Sequence, residues 1–192
     1  MPVKSNFASG DVLTASDTNT YLTNGGLVYI TEASATSGTT LDVTSCFSST
    51  YDAYRIVVSD FRAAAAAGFT VQLLSGSTPA TTNYVWAFSR VAMDGVAAPV
   101  GSGLGATVAQ WATQLVGGTN STAATIELYN PFLTQYTYYR VDATDNRGLT
   151  GYGVVLGEGS HITASSYNGF RLTLTASTIS NIKVRVYGYR QA

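Results

Sequence analysis

From Leu27 onward the chain is a succession of short runs rich in β-branched and aromatic residues, each closed by a cluster of Gly, Ser, Thr, Asn or Pro. The runs have the length of strands and the clusters have the backbone freedom of turns. Strands are predicted near 27–31, 40–44, 54–60, 69–74, 84–93, 107–115, 124–130, 137–144, 153–156, 170–175 and 182–189. Period two is clearest at the end, where Ile182, Val184 and Val186 share one face and Lys183, Arg185 and Tyr187 the other. Phe170, Leu172 and Leu174 alternate in the same way with Arg171, Thr173 and Thr175. One dry face and one wet face per strand is the pattern of antiparallel sheets packed as a sandwich, so the fold class is all-β.

The first 26 residues read differently. Thr14 followed three places later by Asp17 is a variant of the capping box, and Asn24-Gly25-Gly26 supplies a helix stop. A short helix over 15–23 is expected. A helix of about two turns is marginal in water, so Phe7, Val12, Leu13, Tyr21 and Leu22 need a surface to pack on, either their own domain or another protein. The chain divides into an arm, 1–26, and a sandwich, 27–192. Within the sandwich, Arg62 and the alanines after it are expected to connect strands, and Met93 to Gly105, with Gly95, Pro99, Gly101, Gly103 and Gly105, to form a long loop.

Composition removes several function classes. A chain of 192 residues can bury about 70% of its extended surface, enough for one sizeable core. Charged residues make up 11%, with a net charge of -1 and only two lysines, Lys4 and Lys183. Capture of nucleic acid or anionic lipid needs clustered Lys and Arg and is not expected. The opening Met-Pro-Val-Lys-Ser-Asn lacks the apolar stretch of a signal peptide, and no apolar run is long enough to span a bilayer, so neither secretory export nor membrane insertion is expected. Cys46, the single cysteine, excludes an intrachain disulfide and a thiolate metal cluster.

Catalytic constellations fare poorly. His161 is the single histidine and is expected in a loop, exposed or locally hydrogen-bonded, with no nucleophile elbow near it. Asp142 and Asp145 precede Asn146, Arg147 and Gly148, which is turn chemistry and lacks EF-hand spacing. Glu32, Glu127 and Glu158 are far apart in sequence, and no phosphate-binding glycine motif lies between a strand and a helix. No catalytic residue, metal or cofactor is expected. The aromatics are more suggestive: alternation places Tyr84 with Trp86, and Tyr136 with Tyr138 opposite Tyr139. Exposed, such rings suit stacking on a sugar or a neighbouring protein; buried, they fill the core.

The opening Phe7-Ala-Ser-Gly-Asp-Val-Leu-Thr-Ala-Ser-Asp-Thr-Asn-Thr-Tyr-Leu22 resembles the short N-terminal segment of many tailed-bacteriophage virion proteins, of the tail-fibre or minor structural kind, through Gly10, Val12, Leu13, Thr14, Ala15, Asn19 and Leu22. Gly26-Leu-Val-Tyr-Ile30, Cys46-Phe-Ser-Ser-Thr-Tyr-Asp-Ala-Tyr-Arg-Ile-Val-Val58 and Val184-Arg-Val-Tyr-Gly-Tyr-Arg190 look like the small all-β domains that follow this segment. The resemblance implies a jelly-roll-like sandwich, a homotrimer and assembly into a virion in the host cytoplasm, with residues 1–26 anchored on other virion proteins. The leading expectation is a tail-fibre or tail-tip component touching a host-surface glycan or protein. A capsid decoration protein, of the cement or head-fibre type, is the alternative. A polysaccharide depolymerase is the third, weakened by the absence of a periodic solenoid.

Overall fold

A computed structural model describes residues 26–65, 67–92, 100–112, 121–146 and 152–189. The expected helical arm, with Phe7, Val12, Leu13, Tyr21 and Leu22, lies outside the described residues. Within them the chain is all strand and turn, with no helix: β1 (Leu27–Ala35), β2 (Thr40–Val43), β3 (Ala53–Ala63), β4 (Phe69–Ser75), β5 (Thr78–Pro79), β6 (Tyr84–Ala92), β7 (Val100–Ala106), β8 (Ala109–Ala112), β9 (Thr122–Tyr129), β10 (Gln135–Asn146), β11 (Tyr152–Ser165), β12 (Gly169–Leu174) and β13 (Ile179–Tyr189).

All strand pairings are antiparallel. They build a large sheet of eight strands in the order β1-β13-β3-β9-β10-β11-β6-β7, and a smaller one in the order β2-β12-β4-β5, with β8 also paired to β4. The first and last strands are neighbours, and the chain passes between the sheets several times. The result is a β-sandwich-like fold whose layers share one apolar core.

The dry faces are those that alternation predicts. Ile182, Val184 and Val186 are fully buried, as are Phe170 and Leu172. Each such side chain stabilises the fold by about 1.5–3 kcal/mol relative to an exposed one. Aromatic rings tie the layers together: Phe61 of β3 meets Phe69 of β4 edge to face at 5.5 Å. Phe47, in the loop after β2, stacks on Phe170 at 5.9 Å and meets Tyr54 edge-on at 4.7 Å.

Glycine misled the sequence reading in two places. Val100–Ala106 belongs to a strand, β7, where a loop over Met93 to Gly105 was expected; residues 93–99 lie outside the description. Gly101 and Gly103 sit under the rings of Phe88 and Trp86, where a Cβ would come within 2.5 and 2.4 Å of ring atoms. The two rings stack on one another at 5.7 Å and supply the apolar cover that the glycines lack. Gly105, with φ +68°, takes the extra residue of a bulge between the Tyr84 and Trp86 pairings. Likewise β11 runs from Tyr152 through Ser165, far beyond the expected 153–156. Gly159 stays in the sheet because the Tyr139 ring lies over it, and the Tyr139 hydroxyl donates to Val85 O at 3.1 Å.

Other departures are smaller. β3 continues to Ala63 through a bulge at Asp60, whose φ of +50° is held by Asn181 Nδ2 donating to its carboxylate at 2.6 Å. The Arg62 to Ala67 stretch therefore begins as strand before it turns. The two-residue β5 went unforeseen.

Candidate functional site

The single histidine is structural. His161 lies inside β11 and is 1% exposed, where a loop position was expected. Its Nε2 faces the carbonyl of Thr82 at 3.0 Å and its Nδ1 faces the hydroxyl of Tyr167 at 3.2 Å. A carbonyl only accepts, so Nε2 carries the proton and Nδ1 accepts from Tyr167. Burial lowers the His161 pKa, which keeps the ring neutral. Tyr84 packs edge-on against that ring at 4.5 Å, and its hydroxyl accepts from the Leu73 amide at 2.8 Å and donates to Ala80 O at 3.3 Å. This node bridges β6 and β11 to β4 and leaves neither imidazole nitrogen for a substrate. Cys46 is buried, its thiol directed at Val43 O, and desolvation pushes its pKa up to about 12.

Glu127 and Asp142 line one depression with Arg55 and Arg140, and Glu158 lies on the far side of Arg140. Asp142 is in the middle of β10, aligned with Thr125 and Leu156, and not at the strand end where turn chemistry was expected. Asp145 is three places on in the same strand. Among the described residues no group of three or more His, Cys, Asp and Glu could hold a metal ion.

The aromatic pairs divide. Tyr84 and Trp86 are buried, and the Trp86 Nε1 has no hydrogen-bond partner among the described residues. Tyr136 and Tyr138 are 46% and 49% exposed, on the outer face of the large sheet, while Tyr139 points into the core. Among the described residues, nine large apolar or aromatic side chains are exposed: Leu27, Tyr29, Val91, Leu104, Tyr129, Tyr136, Tyr138, Leu156 and Ile162. Every one belongs to the large sheet. By strand parity they share its outer face, with Tyr129, Tyr138 and Leu156 on its central strands.

Polar order on the same face comes from register. Tyr29 pairs with Tyr187, Tyr187 with Arg55, Arg55 with Glu127, Glu127 with Arg140, Arg140 with Glu158, Glu158 with Ala87 and Ala87 with Ser102. One transverse row thus crosses all eight strands, and its middle four positions alternate in charge: Arg55, Glu127, Arg140, Glu158. Arg55 Nε donates to Glu127 Oε1 at 2.6 Å, and Tyr189 donates to Glu127 Oε2 at 2.7 Å. Arg140 and Glu158 make no ion pair among the described residues, although they are cross-strand neighbours. Beside the row, Tyr129 pairs directly with Tyr138. Shallow depressions of about 400 Å³ lie on either side of Arg140, one bounded by Arg55 and Asp142, the other by Tyr138 and Glu158. Broad, shallow and edged by charge, the surface suits a macromolecule better than an enclosed small ligand.

Sequence reasoning put Tyr136 and Tyr138 together on the face opposite Tyr139, as observed, but favoured burial for these rings and missed Arg55, Arg140 and the two glutamates as a set. The outward parity of Arg55, Glu127 and Arg140 was readable in the predicted strands, that of Glu158 was not because the expected strand stopped at 156, and the register that lines the four up was not readable at all. Comparison of the chain with protein-family models, with curated proteins and with solved structures finds no match.

Proposed function

We propose that the chain is a non-enzymatic structural protein of a tailed-phage virion, acting as a tail-fibre or tail-tip component held to the particle by residues 1–26. We propose also that its sandwich is a jelly roll. Strand order supports this: β1-β13-β3-β9 lies in one sheet, and β2-β12-β4 with β8 in the other, the interleaving expected of eight strands wound as a double Greek key. Strands β10, β11, β6 and β7 then extend one layer.

The observation that carries the functional reading is the outer face of the large sheet. A field of exposed Tyr and aliphatic side chains with charges in register suits contact with other subunits or a host surface. The resemblance of residues 7–22 to virion anchoring segments supplies the setting. Imaging particles that carry a label on this chain tests the reading. Label at the tail end is expected. Label spread over the shell would replace it with the capsid-decoration alternative, and unlabelled particles would overturn both. Removing residues 1–23 should leave a cooperative melt and abolish incorporation. Steady release of reducing ends from host polysaccharide by the purified protein would overturn the non-enzymatic claim.

A further inference from the structure

We infer that the outer face of the large sheet is the interface of a two-fold homodimer, with the axis running along the strands between β9 and β10. The charge row requires no partner other than a second copy. An alternating row of four charges reads with opposite sign from its other end, so rotation about an axis through its centre places each charge opposite its complement. Arg55 then faces Glu158 of the second copy, and Glu127 faces Arg140.

The adjoining rows obey the same operation. On one side, Val57 pairs with Thr125, Thr125 with Asp142 and Asp142 with Leu156. Rotation sets Val57 against Leu156 and Thr125 against Asp142, an apolar pair and a hydrogen-bonding pair. On the other side, Tyr129 meets Tyr138. An in-plane axis perpendicular to the strands, set on the charge row, would instead place Arg55 on Arg55 and Glu127 on Glu127. The axis along the strands also passes through the middle of the large sheet, with four strands on each side. A twist of about 20–25° per strand confines close face-to-face contact to central strands, and the four charges lie on those strands: β3, β9, β10 and β11. A face complementary to itself closes at two copies, whereas a three-fold ring needs two different patches on each subunit. Any trimer of the virion kind would use other surfaces.

The inference stands apart from the virion reading, since a dimer is observable whether or not the chain enters a particle. Sedimentation of the full chain over a range of concentrations should show reversible dimerisation. Arg140→Glu alters an exposed side chain and sets two Glu–Glu contacts across the axis, so the dissociation constant should rise by about 100-fold or more. Cross-linking locates the axis. Val57→Cys mixed with Leu156→Cys, which lie three strands apart in one row and face each other across the axis, should give a covalent mixed dimer with a short bis-maleimide, with far less product from either variant alone. Buried Cys46 stays silent under these conditions. A chain that is monomeric throughout, an oligomer indifferent to Arg140→Glu, or cross-linking as strong within one variant as in the mixture would each overturn the inference.

Discussion

The two sheets share a core and differ on their outer faces. On the smaller sheet, Arg171 and Asp42 close on each other through two hydrogen bonds of 2.6 and 2.7 Å, flanked by Thr40, Thr173 and Gln72. Among the described residues that sheet carries no exposed large apolar side chain. On the large sheet, charges close at the β1 margin, where Arg185 donates to Glu32 at 2.7 Å, and between Arg55 and Glu127, but Arg140 and Glu158 beside them make no ion pair among the described residues and lie among exposed tyrosines and aliphatics. A face whose charges are satisfied within the chain is finished as a solvent surface. A face with apolar area and unsatisfied charge in register has the composition of a contact.

The comparison rests on which side chains point inward, and the largest expected effect tests that. Val184→Asp on β13 and Leu172→Asp on β12 each put an unpaired charge into the shared core and should cost about 4 kcal/mol or more, enough to abolish the cooperative melt. The outward Thr173→Asp should move stability by no more than about 0.5 kcal/mol. Equal effects at inward and outward sites would dissolve the distinction between the faces.

Next comes the extension of the large sheet that bears the open charges. Gly103→Val would drive a side chain into the Trp86 indole and should cost about 1–3 kcal/mol, read as a lowered denaturation midpoint. A neutral result would mean that β7 is not held by that ring.

The pH dependence of stability examines the node joining this extension to the smaller sheet. His161 has a native pKa below its ordinary 6.5, so the unfolded chain binds the proton more readily. The stabilising contribution is complete above 6.5 and is lost as pH falls through that value toward the lowered native pKa, at about 1.4 kcal/mol per unit of difference. His161→Gln should remove this part of the acid slope in denaturation curves taken between pH 7 and about 5. A slope unchanged by the substitution would show that other groups carry it.

The smallest effect separates the two charge arrangements. At protein concentrations low enough to keep the chain monomeric, Arg171→Ala should cost about 0.5–1 kcal/mol through loss of its bidentate partner, and Arg140→Ala close to nothing. The reverse ranking would show that the open charges are closed within the chain after all.

Much of the fold was legible in the residues. Period two placed Val184, Phe170, Tyr139 and their neighbours on the correct sides, because a strand's side chains alternate whatever it pairs with. Glycine hid β7 and most of β11, since its usual reading as a breaker fails where a cross-strand aromatic covers it. His161 was misplaced for the same reason, because Gly157 and Gly159 just before it obscured the strand that buries it.

What the sequence determined by itself was local: strand content, inward and outward parity, the single core and the small number of charges available. Only the tertiary structure decided that Arg55, Glu127, Arg140 and Glu158 form one row and that the exposed aromatics gather on one face. Parity follows from backbone geometry within a strand, whereas register between strands far apart in the chain follows from the packing of the whole core. A one-residue slip would send these same side chains to the opposite face.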